Sequence, residues 1–444
     1  MQTRRYKGYK PKTTSENNQD VFQKIQKARE EVAKEPDFFE TQGILKTIPE
    51  KHPKLSAKVL SLIFLVAIVL GAGFGCLGFF LFYPKSENLS SNVTVKKWET
   101  TDSSATLSPL TGEELSDPSL SNSPTFCVQI PNGLDGARPQ VGLSEAGVIF
   151  EAIAESGITR FAAVFQNPTS TIIGPIRSLR TYYLQWDTPF DCTIVHAGGA
   201  KDAVAAISSG AYRDLTENYN YMWRGASNSF LNRQWNNLFT SSELLKSFNS
   251  NNGFSSSNVS GFTRETKKAS DLSRIEKLAK NPLDIDQETD SSVKEITPAA
   301  STIKLSYGND DYFNPTYIYN SETNSYDRFY NSDEPHTSYK CTEDFGEATP
   351  ETSCGDPVQL SPKVVIAIVV SESRAADGVH ESIQTVGSGD AYFFQNGDVV
   401  EGKWEKPSIN SQITFKDKKG DIVKLAPGQT WISAVPSYGS VEYN

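Results

Sequence analysis

Histidine, methionine and cysteine are all scarce, with four, two and five residues in a chain of 444. No histidine falls at finger-like spacing from a cysteine pair, and His336 alone lies near Cys341, so a Cys/His zinc site has too few ligands. There is also no Gly-x-Ser-x-Gly elbow, no Walker loop, no His-Glu-x-x-His and no cysteine placed with a histidine partner. These absences remove the readable signatures of the α/β-hydrolases, P-loop NTPases, zinc proteases and cysteine hydrolases. Neither a metal nor a cofactor is expected. Basic charge is scarce beyond the N-terminal end. Residues 1–58 carry 13 Lys/Arg against 8 Asp/Glu, 59–84 carry no charge, and the remainder holds a net −15 against −10 for the whole chain. So acidic a main body excludes general nucleic-acid binding, which needs a basic footprint.

What the sequence does have begins with residues 59–83, 25 uncharged and largely apolar residues. At about 1.5 Å per residue such a helix exceeds the roughly 30 Å of a bilayer core. One transmembrane helix is expected here, making the lipid bilayer a partner. Lys51, Lys54 and Lys58 before the run place the N-terminus in the cytoplasm and the rest outside the cell membrane. Cys76 lies inside the run, whereas Cys127, Cys192, Cys341 and Cys354 all follow it. An even count outside the cytosol suggests disulfides. Cys341 with Cys354 is the favoured bridge because a short, acidic, turn-rich loop separates them; the pairing of Cys127 and Cys192 stays open.

The expected fold class is α+β and multidomain: a cytoplasmic tail (1–58) with a short amphipathic helix near 19–34, the membrane span (59–83), a flexible Ser/Thr/Asn-rich stalk (84–123), an α/β domain (124–246), a polar linker or insertion (247–300) and a mostly antiparallel β domain (301–444). In the α/β part, GVIFEAIAES, ITRFAAVFQ and DCTIVHA read as strands. Between the last two, Pro175 suits a first helical position, with Ile176, Leu179, Tyr183 and Leu184 along a stripe. Residues 240–243, Thr-Ser-Ser-Glu, fit a capping box. KVVIAIVV reads as a buried strand, and Asn396-Gly397 between two alternating arms is a strong hairpin signal.

Arginines stand out in this acidic setting: Arg138, Arg160, Arg177, Arg180, and later Arg224 and Arg233. If a helix begins at Pro175, Arg177 and Arg180 lie on one face beside free N–H groups, a geometry suited to a carboxylate or phosphate. With Arg138, Arg160, His196 and Asn237 they make the expected ligand-binding set. The competing reading is internal pairing with Glu145, Glu151 or Glu155. His196 ends a strand before Ala197-Gly198-Gly199, the place where α/β sheets bind ligands. Glu151, Glu155 and His196 are the catalytic candidates should the chain act as an enzyme by acid/base chemistry.

Taken together, Pro109-Leu-Thr-Gly112, ARPQVGLSEA (137–146), Glu151, GITRF (157–161), GPIRSLR (174–180), HAGG (196–199), GSGDAYFFQNGDVVEGKWEK (387–406) and PGQTWISAVP (427–436) resemble the YerB-type family of bacterial envelope proteins, built on a domain of unknown function. The chain departs from the family pattern at Gly147, where Asp is usual, at Phe150, where Tyr is usual, and at residues 235–237, Trp-Asn-Asn, where the family has Pro-His-Asn. A histidine in that triplet therefore has no counterpart here. Family members are often lipoproteins, whereas this chain has an apolar span; both anchors place the domain on the outer membrane surface. The resemblance implies compartment and architecture and leaves activity open. The expectation is an envelope protein that binds a cell-wall polymer or a partner protein, with an enzyme acting on a wall-derived substrate as the second reading.

Overall fold

The computed structural model describes residues 105–168, 172–225, 236–265, 299–308, 311–331, 333–341 and 354–444. The expected membrane span, the segment 19–34 and Cys76 lie outside these residues. Among the described residues no helix is long and apolar enough to cross a membrane.

In chain order the elements that matter here are β1 (Thr125–Pro131), β2 (Val148–Glu155), β3 (Ile158–Gln166), α1 (Thr181–Asp187), β4 (Thr193–His196), α2 (Lys201–Ile207), β5 (Arg213–Thr216) and α3 (Ser242–Asn251). The second half supplies β6 (Thr302–Ser306), β7 (Pro315–Asn320), β8 (Ser325–Tyr330), β9 (Glu334–Pro335), β10 (Val364–Val370), β11 (Gly387–Gln395), β12 (Asp398–Lys406), β13 (Thr414–Asp417), β14 (Thr430–Pro436) and β15 (Ser440–Tyr443). Strands dominate, and the three helices are short.

Ten strands form one sheet in the order β13-β12-β11-β10-β14-β2-β3-β1-β4-β5. Segments 124–246 and 301–444, expected as two successive domains, thus meet in a single sheet, where β14 pairs in parallel with β2 on one side and β10 on the other. The sequence of these strands explains the arrangement. β14 (TWISAVP) is buried throughout and β10 (VVIAIVV) nearly so, the pattern of central parallel strands covered on both faces. The second half is therefore not antiparallel throughout. Its antiparallel parts are the β11–β12–β13 meander and a five-stranded sheet in the order β9-β8-β7-β6-β15.

Side-chain alternation along the ten-stranded sheet feeds two cores. On one face Phe150, Ile366 and Ile432 pack with Tyr183 and Trp186 of α1, where Phe150 and Trp186 stack with ring centroids 5.3 Å apart. On the other, Ile149, Phe161, Val365 and Trp431 pack against Leu305, Tyr317 and Tyr326 of the five-stranded sheet.

Three local expectations change. Residues 174–180 are extended and α1 begins only at Thr181, after a cis Gly174-Pro175 bond. Ile176 lies in the second core and Leu179 in the first, a split that an extended chain makes and one helical stripe does not. Part of the expected stalk packs down: Leu110 is buried, and Arg264 Nη2 donates to its carbonyl at 2.7 Å. Gly112 turns with φ +71° where a Cβ would lie 2.4 Å from Arg264 Cδ, which accounts for the glycine in Pro-Leu-Thr-Gly. The start of the expected linker is structured as well. α3 reaches Asn251, capped by Ser241, which accepts from the Leu244 N–H at 3.2 Å, and Phe262 and Arg264 pack beyond it. The Asn396-Gly397 hairpin forms as read, both residues having positive φ between β11 and β12.

Candidate functional site

β1, β2, β4, β5, β10 and β14 all point one way, so their carboxyl ends share an edge, the usual ligand edge of such sheets. Glu155 closes β2 there, and Arg160 stands near the start of β3. Arg180 caps α1, which is pinned to the edge by two buried tyrosines. Tyr182 donates to the Ile153 carbonyl at 2.6 Å and Tyr183 to the Ala152 carbonyl at 2.9 Å. One oxygen of Glu155 accepts from Arg160 Nη2 at 2.9 Å, and the other accepts from Arg180 Nη2.

On a regular strand Glu155, four residues after Glu151, would share its face. A bulge between Ile153 and Glu155 adds a residue and reverses the alternation, turning Glu155 toward Arg160 and the α1 side. Burial works to raise the Glu155 carboxyl, but Arg160, Arg180 and, more weakly, His380 outweigh it and hold it below its ordinary value. Burial, reinforced by Arg180, lowers Arg160. His380 belongs to the hairpin Glu372–Arg374/Glu381–Ile383, which lies over this edge and is tied to α1 by a Thr385–Gln185 hydrogen bond.

Two guanidinium groups thus share one carboxylate, leaving a net positive charge. Arg160 and Arg180 are 5% and 4% exposed, and the Nε of each has no hydrogen-bond partner among the described residues. Arg177 lies three residues before Arg180, between the splayed ends of β1 and β4. Its N–H donates to the Gln129 carbonyl and its carbonyl accepts from the Ala197 N–H. Its half-buried guanidinium makes no ion pair or hydrogen bond among the described residues.

The other expected site residues lie apart. His196 is buried between the Gly198 carbonyl (Nδ1, 2.6 Å) and Asp214 (Nε2, 3.0 Å). β4 is separated from β2 by β3 and β1, roughly 14 Å at ordinary strand spacing, so His196 and Glu151 do not form an acid/base pair. Asn237 accepts from Arg224 at 2.9 Å and donates to the Gly225 carbonyl, bracing a local turn.

Glu151 lies in a sealed polar network on the opposite face. Its oxygens accept from Arg328 Nη2 (3.0 Å to each), Trp431 Nε1 (2.8 Å) and Thr159 Oγ1 (3.0 Å). His336 accepts from Arg328 and bonds Gln140 at 2.9 Å. Arg138 closes the network toward solvent, its guanidinium 3.5 Å from the Tyr330 ring centroid and bonded to Asn132. Arg328 joins this network without standing in the expected set, although it has a sequence signal: in SYDRFY it occupies an inward position between Tyr326 and Tyr330, an arginine on a strand's apolar face.

Residues 110–255 match the family described as "Protein of unknown function (DUF3048) N-terminal domain", and 303–432 match its C-terminal domain. The chain belongs to this YerB-type family. YerB of Bacillus subtilis (strain 168), a protein named as a lipoprotein, is 28% identical over 333 residues, covering 74% of this chain and 86% of that protein. The crystal structure of YerB from Bacillus subtilis superposes with a TM-score of 0.56 at 24% identity, covering 76% of this chain and 99% of the other, a likeness of fold.

Proposed function

We propose that this YerB-type protein is held at the outer surface of the cell membrane by residues 59–83 and binds an anionic wall component, or an acidic surface of a partner protein, at the arginine edge. The observation that carries the reading is the arrangement of Arg160 and Arg180 around a single carboxylate, with Arg177, three residues before Arg180 on an extended segment, making no ion pair among the described residues. Charge-assisted bonds from such groups are the strong ones, and arginine suits carboxylate and phosphate. Support for the compartment comes from the lipoprotein name of the relative, the basic flank before the apolar run, and two disulfides.

Titration of the full-length protein with inorganic polyphosphate and with poly-glutamate tests the site. Arg177→Gln is expected to weaken binding about tenfold without moving the melting temperature. Equal affinity in Arg177→Gln and Arg180→Gln would remove the arginine edge as the site. Protease added to cells stripped of wall should digest the folded part and spare residues 1–58; a protected C-terminus would reverse the orientation.

A further inference from the structure

The five-stranded sheet carries a second concave feature that shares no residue with the arginine edge. On its outer face a cleft of about 460 Å³ opens over β6, the start of β7 and the start of β15. The alternation that sends Ile303 and Leu305 into the core turns Lys304 and Ser306 outward, and likewise Ser440 and Glu442 of β15. Thr316 and Asn331 complete the wall. A smaller cleft of about 160 Å³ continues it past Lys304 and Glu442 to Asn444.

One observation indicates that this wall is built for a ligand. Lys304 and Glu442 are directly opposed across the strand register, yet they form no ion pair with each other or with any other described residue. Opposed charges on neighbouring strands ordinarily pair. Asn331 lines the cleft beside Asn314 and Thr316. Beside the cleft, Tyr438 lies over Gly308, whose N–H bonds Ser306 Oγ, and leaves about half of its surface exposed.

We infer that this cleft binds a saccharide chain of little net charge. Hydroxyl and amide side chains both donate and accept, as sugar hydroxyl and acetamido groups require. Lys304 and Glu442 cancel in charge, so the wall favours neither anion nor cation, and its open form admits a chain rather than enclosing a small molecule. An exposed tyrosine at the rim offers a face for the apolar side of a sugar ring.

Calorimetric titration of the full-length protein with a β-1,4-linked N-acetylglucosamine tetramer tests this. Saturable binding is expected. Lys304→Met, Glu442→Gln and Asn331→Gly should each weaken it by about fivefold or more. Glycine suits the last position because Asn331 has φ +56°. Circular dichroism and melting should be unchanged for the two variants of exposed charged residues. Absence of saturable binding, or unchanged affinity in all three variants, would overturn the inference. A loss caused by Arg177→Gln instead would place the sugar at the arginine edge and overturn it too.

Discussion

Glu151 and Arg328, 177 residues apart, meet in complete burial, with both carboxylate oxygens 3.0 Å from one guanidinium nitrogen. One residue comes from each half of the family's paired domains, so the contact links the ten-stranded sheet to the five-stranded one. Removing one partner strands a charge that no water reaches. Glu151→Gln or Arg328→Met alone should cost about 3–5 kcal/mol in urea unfolding, and the double variant should recover much of it. Single variants as stable as the wild type would show that the pair contributes nothing.

His336 gives that network a pH dependence. Burial first, then Arg328 and Arg138, hold its pKa well below 6.5. Its Nδ1 accepts from Arg328, so a proton there would face another N–H. The unfolded chain takes up this proton below about pH 6.5 while the folded chain refuses it, so the His336 contribution to stability falls as pH drops through that value. Unfolding at pH 7, 6 and 5 should show wild type losing up to about 1.4 kcal/mol per unit relative to His336→Gln. A difference that stays constant with pH would refute the assignment.

Asp187 has the opposite sign. It is buried, accepts a hydrogen bond from Gln129 at 2.9 Å, and burial raises its pKa well above 3.8. Its stability contribution is complete below pH 3.8 and is lost as pH rises toward the folded value, because only the unfolded chain then ionises freely. Asp187→Asn should therefore melt higher than wild type near pH 7, with the gap closing toward pH 4. A variant that melts lower at pH 7 would show that the carboxylate is tolerated.

Two disulfides join Cys127 to Cys192 and Cys341 to Cys354, closing sequence separations of 65 and 13. Chain entropy assigns about 4 kcal/mol to the first and about 3 to the second. Paired Cys→Ser variants should follow that order in melting temperature, and non-reducing peptide mapping should recover both bridges. Free thiols at these four positions in protein purified without reductant would contradict the pairing.

Legibility followed the range of each signal. Strands over 148–155, 158–166 and 364–370 could be read because their apolar content is local, and the Asn396-Gly397 turn because its backbone preference is local. The merging of the two halves could not, because nothing within residues 430–436 names Ile149 and Ile366 as strand neighbours. At the arginine edge the residue types were legible and their grouping was not. One bulged residue moved Glu155 to the other face of the sheet, and an extended segment where a helix was expected separated Arg177 from Arg180. Arg328 was hidden because the partner that justifies an inward arginine lies in the other half of the chain.

The position of β14 also sets a timetable. It lies in the middle of the largest sheet, yet it is the last of that sheet's ten strands in chain order. A ribosome must pass residue 436 before β2 and β10 can be bridged, so the growing chain carries two open strand edges until β14 is made. A chain that stopped short of residue 430 would lack the centre of the sheet rather than an outer strand. Such a product would present those edges to other chains and be a substrate for aggregation and proteolysis.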